Sequence, residues 1–150
     1  MIPRRRASRS GVASVEFALA TPLLLLLLAA IADLGFALVD MIQLTEGVCN
    51  AARYAELEQG AAATPTLQTI VQNTSRLSTA TTTVSSASCF CASGTPATLT
   101  AKSCGTTCDN GAAAGTYQTI TAQYAYSPLL PGYTLLANST LSTSVTVQIK

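Results

Sequence analysis

The sequence of 150 residues contains no tryptophan and no histidine, and only 10% of its residues are charged. The absence of histidine excludes histidine general bases, catalytic triads that contain histidine and most zinc enzymes. The sequence also has no G-x-S-x-G motif and no phosphate-binding loop, so we expect no enzymatic activity and no bound cofactor or metal ion. A net charge of +1 gives no electrostatic basis for binding nucleic acid.

The few charges divide the chain into three zones. Half of the basic residues lie in the first zone, at Arg4, Arg5, Arg6 and Arg9. Acidic residues are concentrated between Asp33 and Glu58, and the remainder of the chain is rich in Thr, Ser and Ala but nearly uncharged. We therefore predict a basic leader, a helical segment and a polar domain, which cover residues 1–11, 12–59 and 60–150.

An uncharged apolar run extends from Phe17 to Ala32, and to Val39 if Asp33 is tolerated within it. As a helix the longer run would measure about 35 Å, against a hydrocarbon core of about 30 Å, so we predict a single membrane span. The alternative is a buried core helix, but the rest of the chain could not surround it. Because four arginines precede the run and only Arg53 follows it closely, we expect the N-terminus to be cytoplasmic and residues after about 40 to be outside.

Apolar residues continue at helical spacing beyond this run, at Met41, Leu44, Val48, Ala51, Ala52 and Ala55. We predict one helix over about 13–58, locally weakened by Gly47 and stopped by Gly60. A second, short helix is indicated by Thr64 as N-cap and Pro65 at the first helical position. Its apolar face consists of Leu67, Ile70, Val71, Thr74 and Leu77.

Beyond residue 79 the apolar period changes to two, which is typical of half-buried strands. The clearest strands are 116–126 and 139–149, joined by a loop that contains Pro128, Pro131 and Gly132. Weaker candidates are 80–91 and 96–102, with 104–115 as a loop. The predicted fold class is therefore α+β: a long N-terminal helix, a short second helix and a small antiparallel sheet.

Four cysteines in the outer region, Cys89, Cys91, Cys104 and Cys108, favour two disulfide bonds in an oxidising compartment. A bridge between the first two would close a very tight ring, which leaves a nested pairing (89–108 with 91–104) or a crossed one (89–104 with 91–108). A strand-turn-strand reading favours the nested pairing. A zinc site with four thiolates is the rival interpretation, but the C-x-C spacing departs from the usual one. Cys49 is left over, as a small buried residue or a partner for an intermolecular disulfide.

The residues that connect leader and span form a pattern with chemical consequences. Glu16 lies at the inner edge of the apolar run, where a carboxylate is costly unless it is paired. If the chain were cut after Gly11, the new α-amino group of Val12 would lie about one helical turn from Glu16. That amine would be cationic below its pKa of about 8 and would neutralise the carboxylate of the same or a neighbouring helix.

Gly11 followed by Glu16-Phe17 and the apolar run resembles the N-terminal signal of type IV pilins. The closer resemblance is to the TadE-like minor pseudopilins of tight-adherence (Tad/Flp) pilus systems. It rests on G-V-A-S-V-E-F-A-L (11–19) with Pro22 and the leucine run, on A-A-R-Y-A (51–55), and on Y-A-Y-S-P-L-L-P (124–131) before a final strand. In the middle motif Asn50 and Ala51 replace the Glu and Gly that are usual in the family.

The resemblance implies a pilin-like, single-pass protein of the bacterial inner membrane that a prepilin peptidase cuts between Gly11 and Val12. Glu16 and Phe17 would then set the register of packed assembly helices. Implied partners are lipid, the peptidase, other pseudopilins, the major Flp pilin and the inner-membrane assembly platform; the protein would help to assemble or initiate a pilus for surface adhesion. The alternative is an uncleaved single-pass envelope protein with an extracytoplasmic binding domain.

Overall fold

The computed structural model describes residues 10–128 and 139–150. It contains two helices, α1 (Ser10–Leu57) and α2 (Thr64–Ser75). Five strands follow: β1 (Thr81–Val84), β2 (Ser88–Ser93), β3 (Thr98–Ala101), β4 (Gly115–Ala125) and β5 (Thr140–Gln148). The predicted α+β fold, with a long helix, a short helix and an antiparallel sheet, is confirmed. The arginines of the leader and the loop residues Pro131 and Gly132 lie outside the described residues.

The first half of α1 carries no folded domain. All residues from Ala13 to Ala20 are exposed, and each of the six leucines from Leu23 to Leu28 is more than half exposed. This is the one helix of the described chain that is long and apolar enough to span a membrane. The residues from Ala13 to Ala32 alone would measure about 30 Å, which matches the hydrocarbon core.

The second half of α1 forms the centre of the core. Burial begins at Asp33 and Ala37, although the opposite face remains apolar and exposed as far as Ile42. Further along, α1 buries a stripe of small and medium apolar side chains: Leu44, Val48, Ala51, Ala52 and Ala55. The alanines of this stripe let the helix lie close to the sheet, where Ile120 and Ala122 of β4 complete the core.

Helix α2 begins one residue earlier than the capping signal predicts. Its N-cap is Ala63, which is extended and accepts hydrogen bonds from the amides of Thr66 and Leu67 at 2.9 and 3.2 Å. Thr64 is thus the first helical residue rather than the cap. The buried face consists of Leu67, Val71 and Ser75. The prediction that Thr74 lies on this face is wrong, since a spacing of four residues selects Ser75 instead.

Strand β4 is the centre of the sheet. Strand β5 pairs with it along one edge from Tyr117 to Ala125, all antiparallel. The other edge is shared, because β1 pairs with the second half of β4 and β2 with its beginning. The predicted strand 80–91 is therefore two strands, and the break between them is bridged by Ser85, whose amide and hydroxyl both bond to the backbone of Thr119 at 2.9 Å. Among the described strands, β3 pairs with β2 alone.

The sheet runs alongside the outer half of α1. Tyr126, just after β4, contacts Asp33, and Ile149, just after β5, lies against Gly60 at the far end of the helix. The helix from Asp33 to Leu57 is about 36 Å long and the eleven residues of β4 span about 37 Å, so the two are nearly aligned. Strands β2 and β3 consequently lie at the end of the domain farthest from the bare part of α1.

The two predicted disulfides are present, but the pairing is crossed and the nested expectation is wrong. Cys89 bonds to Cys104 and Cys91 to Cys108, with Cα atoms 5.2 and 5.7 Å apart. The register of β2 and β3 explains the pairing, because the amide of Lys102 bonds to the carbonyl of Cys89 and the chain then reaches Cys104 beside it. The four-thiolate zinc interpretation is excluded for these cysteines, and Cys49 is a half-buried free thiol.

The close approach of α1 and α2 generates a first prediction. A Cβ atom on Gly47 would lie 2.9 Å from the backbone carbonyl oxygen of Val71, whereas a Cβ on Gly35 would meet no atom within 4 Å. We expect Gly47→Ala to lower the free energy of unfolding by about 1–3 kcal/mol, despite the better helix propensity of alanine. Thermal unfolding followed by circular dichroism measures the change. Gly35→Ala is the control, and equal stability of both variants would contradict the packing.

The crossed disulfides generate a second prediction. Peptide mapping without reduction should find Cys89 linked to Cys104 and Cys91 linked to Cys108. Replacing Cys91 and Cys108 together by Ser should lower the free energy of unfolding by about 2–4 kcal/mol, because the unfolded chain gains the freedom of an open loop. Denaturant titration measures this cost. Peptides that join Cys89 to Cys108 would contradict the crossed pairing and support the nested one.

Candidate functional site: the two ends of the bare helix

The residues singled out in the N-terminal signal lie at the start of α1. Gly11 and Val12 have helical backbone, within an element that begins at Ser10. Glu16 and Phe17 are exposed, and the Phe17 side chain retains 69% of its accessible surface. The fold therefore leaves both of them available to contacts outside the folded domain.

The other end of the bare helix is fixed by a buried polar contact. The hydroxyl of Tyr126 donates to the Asp33 carboxylate, with an oxygen–oxygen distance of 2.7 Å to Oδ1, and also lies 2.9 Å from the Asp33 carbonyl oxygen. Asp33 is fully buried and Tyr126 nearly so. A hydrogen bond to a charged acceptor is about twice as strong as a neutral one, and here it holds residues 93 positions apart in sequence.

This environment also shifts the chemistry of the phenol. Burial, the hydrogen bond from its hydroxyl to Asp33 and the nearby carboxylates, of which burial is the largest cause, together raise the pKa of Tyr126 from 10.0 to about 12. Burial likewise raises the pKa of Asp40, one of those carboxylates. Tyr126 thus remains a proton donor to Asp33 at all physiological pH values.

Sequence reasoning missed this contact. It treated Asp33 as an electrostatic cost within or beside the span, and Tyr126 as one of several residues on a strand face. The only sequence signals were an acidic residue that interrupts an apolar run and the tyrosines of Y-A-Y-S-P (124–128). Neither indicates its partner, because the pairing depends on how β4 lies along the helix.

The A-A-R-Y-A motif (51–55) lies in the second half of α1 and is part of the core. Its three alanines are buried, Tyr54 packs against the core cluster and Arg53 is exposed. Of the two departures from the family motif, Asn50 is exposed to solvent, while Ala51 is fully buried against its neighbours. The motif therefore serves packing between helix and sheet.

Within residues 10–128 and 139–150, no three His, Cys, Asp or Glu side chains gather in a way that could hold a metal ion. The geometry instead describes a helix with two separate regions. The first half is mostly apolar and exposed, with the Glu16 carboxylate near its start. The second half packs against the sheet, beginning at the hydrogen bond between Asp33 and Tyr126. Such an arrangement suits lateral packing of helices within a membrane or a filament.

A third prediction follows from the contact between Tyr126 and Asp33. Tyr126→Phe should lower the free energy of unfolding by about 1–3 kcal/mol, since it leaves a buried carboxylate without its phenolic donor. In the wild type the pKa of Tyr126 is higher in the folded state than in the unfolded state. The contribution of Tyr126 to the free energy of unfolding is therefore complete below pH 10 and is lost as the pH rises towards 12. Melting temperatures between pH 8 and pH 12 measure this loss.

In the Tyr126→Phe variant the decline in melting temperature at alkaline pH should be shallower than in the wild type. Tyr54→Phe, which changes a half-buried tyrosine of α1, is the control. An identical alkaline decline in the wild type and in Tyr126→Phe would show that the phenol does not hold this junction.

Comparison with known proteins gives one match, to the N-terminal part of the chain. The family model described as TadE-like protein matches residues 11–53. No curated protein and no solved structure gives a match. The matched segment begins at the glycine of the signal, contains the whole bare part of α1 and ends within A-A-R-Y-A. From Gly11 to Arg53 the chain therefore matches the TadE-like family, as its sequence motifs predict.

Proposed function

We propose that the protein is a minor pseudopilin that a prepilin peptidase processes between Gly11 and Val12 and that takes part in assembling or initiating a Tad/Flp pilus. The family match indicates involvement in a Tad pilus system. The observation that carries the finer proposal is the division of α1. Its first half, within the matched segment, is bare from Ala13 and uncharged from Phe17 to Ala32, and the described part of the folded domain packs on α1 from Asp33 onwards.

The division of α1 supports insertion into a membrane and lateral packing of helices. Apolar side chains surround the first half on all sides, so lipid or neighbouring helices can cover any face of it. Transmembrane helices associate through van der Waals packing and polar contacts, because lipid provides no hydrophobic driving force. A single carboxylate at the start of such a helix therefore has a large effect on how neighbours align.

Processing would give Glu16 its partner. Cleavage of the bond between Gly11 and Val12 exposes a new amino terminus about one helical turn from the Glu16 carboxylate. An unpaired carboxylate at the edge of the bilayer is costly, and the amine of the same or a neighbouring helix removes that cost. Subunits whose first residues lie at equal depth are then favoured, and Phe17 packs in the same layer.

The proposed topology follows from the arginines around the span. Residues with positive charge precede it, so the leader lies in the cytoplasm and the disulfide-bonded domain lies outside the inner membrane. The proposed partners are the prepilin peptidase, other pseudopilins, the major Flp pilin and the assembly platform in that membrane. Surface adhesion would be the consequence of the assembled pilus.

A fourth prediction tests processing. In cells with an active peptidase, Gly11→Val should accumulate as the full-length chain, because a bulky side chain replaces the glycine at the cleaved bond. The wild type should lose the first eleven residues. Intact-mass measurement of membrane-extracted protein distinguishes the two forms. Normal removal of the leader from Gly11→Val would contradict cleavage at Gly11. A wild-type chain that still begins at Met1 would favour the uncleaved envelope protein.

A fifth prediction separates processing from assembly. Glu16→Gln has nearly the same shape but no charge, so it should be cleaved normally and yet associate much less with the other pilus subunits. Affinity purification from membranes, with quantification of co-purified subunits, measures the loss. Glu46→Gln, which changes an exposed carboxylate of α1 within the folded domain, is the matched control. Equal recovery of subunits by both variants would remove Glu16 from the assembly step.

A further inference from the structure

A shallow cavity lies at the end of the sheet farthest from Asp33. Its volume is about 150 Å³, and it is open to solvent. Its walls come from β2, the beginning of β4, the end of β5 and the loop that follows Cys108. If the bare half of α1 lies in a membrane, the length of the folded domain separates this cavity from the membrane.

Two aromatic rings form one wall of the cavity. Phe90 and Tyr117 meet edge to face, with ring centroids 5.9 Å apart and an angle of 83° between the planes. Both side chains are only partly buried, so ring surface remains available to a ligand. Edge-to-face packing fixes each ring in one orientation, and a rigid apolar surface loses little entropy on binding.

Two side-chain amides are held beside the rings. The Tyr117 hydroxyl donates to Oε1 of Gln148 at 3.3 Å, and Nε2 of Gln148 donates one of its two hydrogens to the carbonyl oxygen of Lys150 at 3.4 Å. The amide of Ala112 donates to Oδ1 of Asn110 at 3.1 Å, which leaves the Asn110 Nδ2 group as a donor. Gly115 makes room for this arrangement, since a Cβ there would lie 2.7 Å from Nε2 of Gln148.

The described lining of the cavity has no charged side chain, and a disulfide bond constrains one of its walls. No Asp, Glu, Lys or Arg contributes to its described lining. On the same face of the sheet, the hydroxyls of Thr119 and Thr146 lie 2.8 Å apart. The disulfide between Cys91 and Cys108 ties the loop to β2, so the loop and the strand keep their relative positions.

We propose that this cavity binds a neutral pyranose at the end of a glycan. A sugar ring presents an apolar C–H face and a rim of hydroxyl groups. The C–H face fits against an aromatic ring, and the hydroxyls pair with the fixed amides of Asn110 and Gln148, which both donate and accept. The absence of a cation in the lining disfavours phosphorylated and carboxylated sugars. This binding activity goes beyond pilus assembly and does not depend on cleavage at Gly11.

The test uses the full-length chain in lipid nanodiscs, applied to immobilised glycans that end in neutral hexoses or N-acetylhexosamines and to sialylated forms of the same glycans. We expect saturable binding to a neutral terminus and at least tenfold weaker binding to its sialylated form. Gln148→Ala and Asn110→Ala should each weaken binding about tenfold, the effect of one well-made hydrogen bond between ligand and protein. Tyr117→Phe should weaken it less, because the ring remains while Gln148 loses its orienting donor.

Ser142→Ala is the matched control, since Ser142 is exposed on the same strand and face as Gln148. Formation of both disulfides and an unchanged melting temperature establish that each variant is folded. The proposal is overturned by absence of neutral-glycan binding, by preference for sialylated glycans, or by binding that Gln148→Ala and Asn110→Ala leave intact. If the chain binds glycans but no peptidase cleaves it, the proposed pilus function is refuted and the glycan-binding proposal stands.

Discussion

The contact between Asp33 and Tyr126 determines how one helix serves two environments. Before it, α1 is apolar on every side and carries no domain; after it, one face of the same helix is the core of a folded domain. A buried carboxylate is unfavourable without polar partners, so the hydrogen bond from the phenol favours the observed alignment of helix and sheet. This contact sets Asp33 as the position on α1 where the sheet begins to pack against the helix.

The remainder of the domain follows from that alignment. With the end of β4 at Asp33 and the end of β5 at Gly60, the strands run alongside the helix and the small side chains of its buried stripe meet the sheet. The alanines of α1 and the close approach at Gly47 keep the layers near each other. The far end of the sheet then carries β2, β3 and the disulfide-bonded loop, outside the main cluster of buried apolar residues.

Much of this fold could be predicted from local patterns. The apolar run, the helical spacing after it and the alternation in β4 and β5 depend on residues close in sequence, and these elements were found where expected. The pairing of the cysteines could not be predicted, because it depends on the register between β2 and β3. The contact between Asp33 and Tyr126 depends on the global alignment of helix and sheet, and the start of α2 depends on a backbone cap without a side-chain signal. The roles of Gly11, Val12, Glu16 and Phe17 stay predictions.

The proposed function requires the bare first half of α1 to lie in lipid and the end of α1 to lie in water. The most direct test places spin labels singly along the exposed face of α1, in a Cys49→Ser background reconstituted in nanodiscs. Labels at Leu24, Leu27 and Ile31 should be accessible to oxygen, which dissolves in lipid, while labels at Glu46, Asn50 and Arg53 should be accessible to a water-soluble relaxation agent. Lipid accessibility that continues to Arg53, or water accessibility at Leu24 and Leu27, would contradict the account.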